Sequence, residues 1–409
     1  YVASVPLSQE VRMAEDDPLP EFLSWCRMKE VGFEGLEIRS CEEAGNGVFA
    51  TRSFRTDEKV IEVPEELMIT AGKIADMELY SKLLKDSRFF PTPFQLLTLF
   101  FCMEDEDTSL YAPYLKMLPK NFTTPSYLGQ TIDPSHLPLS VREYWCTQQR
   151  DLEESWRKIN EVFPNIRHEK FLWAWHVVNT RCIYVENKPH ASVDNSSGDT
   201  LAVVPFVDML NHDPSAQCLA TFERYSKKYV VRASRYIQDG QQVTVCYGPH
   251  DNARLWLEYG FTLPDNPNGK VSMEHALFIA LARKLGLTVS SAHEQALKDA
   301  CLPCTLYSSD AGPSWALRVN MRILMLSPSD ITRWREVVYE EKPNDEASDS
   351  EICEEPSERE KAECQMLKQI LNELKQALVT RLEKVPEELK WIWQEQVSIV
   401  DIALSSFTI

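Results

Sequence analysis

Glycine is scarce here, with 13 in 409 residues, and the scarcity removes whole classes of ligand site. Dinucleotide folds need Gly-x-Gly-x-x-Gly between a strand and a helix, and phosphate loops need Gly-x-x-x-x-Gly-Lys-Ser/Thr; neither occurs. The Gly45-Asn46-Gly47 step has no third glycine and runs into strand-like residues, so it is not a Rossmann fingerprint. Positive charge is also short. Lys and Arg total 43 against 62 Asp and Glu, a net charge of -19, which argues against a dedicated nucleic-acid binder whose cations meet phosphates. The acidic balance suits a basic partner or plain solubility. No stretch approaches the roughly 18 uninterrupted apolar residues of a membrane span, so no membrane association is expected. Tyr1 to Glu10 has neither a basic start nor an apolar run, and the missing initiator Met suggests a trimmed or partial chain.

Metal and hydrolase signatures are missing too. Neither His-Glu-x-x-His nor Gly-x-Ser-x-Gly occurs. Cys301-Leu302-Pro303-Cys304 has a zinc or redox spacing, but no second Cys or His pair stands at a matching distance, so no metal is expected. The 11 cysteines are an odd number, many of them in apolar runs. That pattern favours reduced thiols, and hence nucleus and cytosol.

The organisation is legible as blocks. Pro18 and Pro20 start an entry helix carrying Phe22, Leu23, Trp25 and Met28, within an N-terminal segment of residues 1–33. Leu36 to Arg39, Val48 to Thr51 and Lys59 to Val63 read as short strands. Helical periods then dominate from about residue 74 to 175, clearest in Phe94 to Met103, Leu139 to Phe163 and Phe171 to Val178. Strands return at Leu201 to Val204, Cys218 to Phe222, Tyr229 to Arg232 and Gln242 to Cys246, with a hairpin turn at Ser226-Lys227-Lys228. The two strand groups must meet in space, because isolated hairpins are marginal. A Pro/Asn/Gly-rich breaker at Pro264 to Gly269 marks a boundary, giving residues 34–268 and a helical remainder of residues 269–409. Within the remainder, residues 340–360 hold ten acidic against two basic residues and read as a disordered loop.

What is present is a set of five segments: Gly45-Asn46-Gly47, Asn179-Thr180-Arg181, Asp208-Met209-Leu210-Asn211-His212, Tyr247, and Tyr259-Gly260-Phe261. Taken singly, each has an ordinary explanation. The glycines make a turn, Arg181 a salt bridge, Asn211 a turn, and His212, Tyr259 and Phe261 core packing. In their order and rough spacing, the five resemble the SET-domain protein methyltransferases, specifically the Rubisco large-subunit methyltransferase-like branch with a helical insertion and a helical C-terminal domain. The likeness covers Phe22 to Phe261 by motif and the rest by layout.

That resemblance implies an α+β chain, with a β-rich SET catalytic domain, an inserted helical subdomain and an all-α C-terminal domain that recognises substrate. It implies S-adenosylmethionine as methyl donor, S-adenosylhomocysteine as product and no metal. Cofactor contacts fall on Gly45, Asn46, Gly47, Arg181 (to the carboxylate), Asp208, Asn211, His212 and Tyr247. Tyr247 is the expected catalytic residue, a phenol that orients an amine, and Ile183, Asp208, Val245, Tyr259 and Phe261 are expected to shape the substrate channel. The histidine-methylating members carry an asparagine at the place of Ile183, so an aliphatic residue there fits lysine. The branch often has an acidic residue where Ala44 stands, so one cofactor contact is expected to be either lost or replaced by Glu43. The expected reaction is lysine N-methylation with a basic histone tail as first substrate class and no direct nucleic-acid contact. The rivals are a non-histone lysine or histidine, or a catalytically silent binding module.

Overall fold

The computed structural model describes residues 17–408 apart from 42–44, 86–87, 187, 197, 199, 311 and 340–356. Ala44, Glu43, residues 1–16 and most of the acidic stretch therefore lie outside the described residues. The end of that stretch is helical instead of the expected loop: Ser357 and Glu360 form a capping box that opens the helix at Glu358.

The entry helix α1 (Leu19–Met28) starts at the two prolines, which fit a first turn because its N–H groups lack partners in any case. After it come β1 (Leu36–Cys41), β2 (Gly45–Ala50), β3 (Lys59–Pro64) and β4 (Ile69–Thr70). The helical insertion follows as α2 (Ala71–Asp76), α3 (Glu78–Leu83), α4 (Pro93–Met103), α5 (Ala112–Met117), α6 (Leu139–Val162) and α7 (His168–Arg181). Then come β5 (Cys182–Tyr184), β6 (Leu201–Val203), β7 (Asn211–His212), β8 (Cys218–Glu223), β9 (Lys228–Ala233), β10 (Gln242–Val245) and α8 (Asn252–Tyr259).

The main sheet runs β1-β2-β10-β8-β9-β3, with β7 paired to β10 off that path, so early and late strands do interleave. Strand β10 is the junction. It pairs antiparallel with β2 and parallel with β7, setting Thr244 opposite Asn211 and Val245 opposite His212. A second sheet, β4-β6-β5, receives the end of α7.

The C-terminal part contains β11 (Lys270–Met273), α9 (His275–Lys284), α10 (Ser291–Ala300), β12 (Cys304–Tyr307), α11 (Trp315–Leu324), α12 (Trp334–Tyr339), α13 (Glu358–Leu382) and α14 (Lys390–Ser405). It is not all-α. Strands β11 and β12 pair antiparallel from Lys270–Tyr307 to Met273–Cys304, so Cys304 is a buried strand residue. Val271 and Met273 are buried while Lys270 and Ser272 are exposed, the alternation of a one-sided strand.

Two apolar cores result. The first gathers strand residues with α1, α4, α5 and α7, including fully buried Phe22, Phe54, Phe100 and Phe206, each contributing on the order of 1.5–3 kcal/mol. The second packs α9–α14 and also takes Val141 and Trp145 of α6 and Leu257 of α8. Helix α6 thus joins the two cores, giving Ile159 to the first and Val141 and Trp145 to the second, while α8 packs on the second through Ala253 and Leu257.

Candidate active site

Phe206 has φ of 76°, a left-handed backbone on a bulky residue that costs about 1–3 kcal/mol. Stacking offsets it: the ring lies 4.7 Å from Phe33 and 6.2 Å from Phe22, fully buried. The chain therefore turns sharply before Asp208 to His212, and the turn points Asp208 inward. Its carboxylate accepts from Arg181 Nη1 at 3.0 Å and Tyr114 Oη at 2.7 Å, and the same Nη1 reaches the Asp208 carbonyl at 2.9 Å. Asp208 is 1% exposed and Arg181 18%. Burial pushes the Asp208 carboxyl up from its ordinary value, opposed by Arg181 and by the Tyr114 hydroxyl. For Arg181 burial works against the charge, and Asp208, with Tyr114 and Tyr247, more than offsets it.

Asp208, expected in the channel lining and at the cofactor, has one carboxylate oxygen tied to Arg181 and Tyr114 and the other, Oδ1, buried without a partner. Tyr114, contributed by α5, is a member of the site that the sequence reading missed.

Beside this pair, Gly47 shows why a glycine stands there. A Cβ at Gly47 would lie 3.0 Å from Asn211 Nδ2, 2.9 Å from Gln242 Oε1 and 2.7 Å from Cys41 Sγ. Asn211 donates to Gln242 at 2.8 Å. Gly45 and Asn46 are exposed at the start of β2, within the strand and not in the turn before it. The glycine segment, Asn211 and the unforeseen Gln242 form one polar corner.

His212 joins that corner to an aromatic group. Its Nδ1 accepts the Tyr247 backbone N–H at 3.1 Å, so Nε2 carries the ring hydrogen, and Nε2 is buried without a partner. Burial lowers the His212 pKa, keeping the ring neutral. Ring centroids lie 5.1 Å apart for His212 and Tyr247, 5.1 Å for Tyr247 and Tyr259, 6.2 Å for Tyr259 and Phe261, and 6.3 Å for His212 and Phe261. The Tyr247 hydroxyl donates to the Leu210 carbonyl at 2.7 Å. Burial pushes its pKa up to about 12, with Arg181 opposing. Val245 sits directly opposite His212, and Ile183 is half-buried in β5 opposite Ala202.

The sequence of residues 45–248 matches the SET domain family model. The mouse (Mus musculus) SET domain-containing protein 4 is 30% identical over 345 residues, covering 80% of this chain and 76% of that protein. The chain belongs to the SET-domain family of protein methyltransferases. A fission-yeast relative, ribosomal lysine N-methyltransferase set11 of Schizosaccharomyces pombe, is 26% identical over 78% of each chain. In structure, the SET domain of LSMT bound to lysine and AdoHcy aligns with a TM-score of 0.59 at 14% identity, covering 97% of this chain and 92% of that one.

In this SET protein the helix joining the two tyrosines is held at both ends. At its start, Asn252 donates to the Leu263 carbonyl and to Glu395 Oε1 of α14, each at 2.9 Å, and accepts from Asn266 at 3.1 Å. Asn266 in turn donates to the His250 carbonyl at 3.0 Å. Burial raises the Glu395 pKa to about 7. At the helix end, Tyr144 of α6 donates to the Glu258 carboxylate, and burial raises the Glu258 pKa to about 7. None of these partners was foreseen; a polar residue inside an apolar helical stripe, such as Gln148 in α6, was the available signal.

Proposed function

We propose that this chain transfers a methyl group from S-adenosylmethionine to the side-chain amine of a protein lysine. The observation that carries the reading is the Tyr247 hydroxyl, committed as donor to Leu210, on a ring 5.1 Å from both His212 and Tyr259. A phenol whose hydrogen is already spent offers its lone pairs to an incoming N–H. At neutral pH it keeps its proton, so it orients an amine without competing for the methyl group.

The residues present fit the cofactor. Gly45 and Asn46 are exposed, Gly47 brings the backbone close to Asn211, Arg181 Nε is buried without a partner, and so is the His212 Nε2 hydrogen. Unpaired buried donors cost about 1–3 kcal/mol each, and a ligand carrying a carboxylate and heteroaromatic acceptors answers them. When bound, the cofactor supplies an electrophilic methyl carbon on sulfur. The rest falls to the protein. The faces of Tyr247, Tyr259 and Phe261 attract a cationic lysine, while removal of water lowers the ammonium pKa and favours proton loss. Tyr247 Oη then accepts an N–H and aims the nitrogen lone pair, which is the orientational part of catalysis. The aliphatic Ile183 supports lysine over histidine.

A histone tail is the first substrate class to test, as a basic partner for a chain of net charge -19. The fission-yeast relative, named for a ribosomal lysine, favours a second reading with the target on a ribosomal protein. Nucleus and cytosol are the compartments proposed, in keeping with ten free cysteines among the described residues. The test is incubation with tritium-labelled S-adenosylmethionine and, separately, nucleosomes and ribosomal fractions, followed by mass spectrometry. Label on lysine is expected. Label only on histidine overturns the lysine assignment, and cofactor binding without transfer to any fraction makes the chain a silent module.

A further inference from the structure

Resting on the reading of Tyr259 as a channel wall, the structure also shows what holds that wall. A helix leaves its last carbonyls without internal partners. In α8 the Gly260 N–H takes those of Leu255 and Trp256 at 3.0 and 3.1 Å. The next ones are taken by side chains from far away in sequence. Gln148 Nε2 of α6 donates to the Leu257 carbonyl at 3.1 Å, Asn179 Nδ2 of α7 to the Glu258 carbonyl at 2.9 Å, and Thr123 Oγ1 to the Gly260 carbonyl at 3.0 Å. The residues on both sides of Tyr259 are thus fixed to the helical insertion.

Two details show that these donors are aimed. Ser126 Oγ donates to Gln148 Oε1 at 3.0 Å, which turns the amide so that its NH2 faces α8. Gly260 has φ of 81°, and a Cβ there would lie 2.3 Å from Thr123 Oγ1 and 2.7 Å from the Thr123 and Thr124 backbone. The glycine admits the insertion's loop to direct contact with the helix end. Every donor is neutral, so the clamp holds at any pH at which the protein is folded.

We infer that Thr123, Gln148 and Asn179 are positioning residues that set the place of the Tyr259 ring, making the insertion part of the substrate channel's construction. The ring lies 5.1 Å from Tyr247, so a displaced Tyr259 changes the space in which the amine is aimed. The loss expected when a reacting geometry loosens is roughly 10- to 100-fold in kcat.

The experiment incorporates 3-fluorotyrosine and identifies the Tyr259 fluorine resonance by its loss in Tyr259→Phe. In Thr123→Val, Gln148→Met and Asn179→Leu that resonance shifts or broadens, the Tyr247 resonance follows, and those of remote Tyr307 and Tyr339 stay. Thr123→Ser, which keeps the donor, restores the wild-type position. With the substrate fraction that the wild type labels, kcat falls while the cofactor Kd holds. An unmoved Tyr259 resonance in Thr123→Val and Asn179→Leu overturns the inference, as does Thr123→Ser behaving like Thr123→Val. If a core variant disturbs all tyrosines, exposed Thr123 gives the decisive pair. Absence of methyl transfer by the wild type defeats the proposed function, while the fluorine resonances still decide this one.

Discussion

The two halves of the site are built on opposite principles. On the side proposed for the cofactor, a guanidinium and a carboxylate are paired, buried and hydrogen-bonded by Tyr114. On the side proposed for the substrate, uncharged rings pack beside a phenol whose single hydrogen goes to a backbone carbonyl. Charge that never leaves its partner fixes shape, whereas a neutral lining with one acceptor leaves room for a cation to enter and lose its proton. Damage should therefore register as lost stability in the first half and as lost rate in the second.

The sharpest way to break that contrast is Asp208→Ala. It leaves Arg181 buried with no counter-charge, and the expected loss is about 3–5 kcal/mol of unfolding free energy, measured by urea denaturation. The paired replacement Asp208→Leu with Arg181→Met should recover most of that loss while still impairing cofactor binding. A loss below about 1 kcal/mol, the size of an exposed pair, would show that the pair is not the structural half described.

A smaller effect concerns the start of α8. Glu395 has a folded pKa of about 7 against an ordinary 4.5, because burial penalises its charge and Asp251 adds to that, with Asn252 opposing. Between those values the folded state keeps a proton that the unfolded state has lost, so stability falls as pH rises through the window. Glu395→Gln removes the penalty. Its melting temperature should gain on the wild type from about pH 4.5 to about pH 7 and level off above, as followed by calorimetry. A difference that does not change with pH would assign Glu395 of α14 no titrating role.

The candidate segments were readable because each signal is local: Gly45 to Gly47 and Asn211-His212 are runs of two or three residues, and Tyr247 comes just after a short strand. What escaped were partners joined by folding alone: Tyr114 to Asp208 across 94 positions, Gln148 to Leu257 across 109 and Asn252 to Glu395 across 143. A buried amide or phenol has the same appearance in sequence as an exposed one. The expected all-α C-terminal part failed similarly, since β11 and β12 are four residues each and too short to show a period. The pairing of Asp208 with Arg181 and Tyr114 was equally out of reach, because sequence does not say which way a side chain turns after the strained Phe206.

Tyr247→Phe tests the central claim most directly, with cofactor affinity measured by calorimetry and methyl transfer measured in single turnover on the same preparation. The cofactor Kd should stay within about twofold of wild type and the transfer rate should fall roughly 100-fold, since the substitution removes only the oxygen proposed to aim the amine. A transfer rate equal to that of the wild type would contradict it.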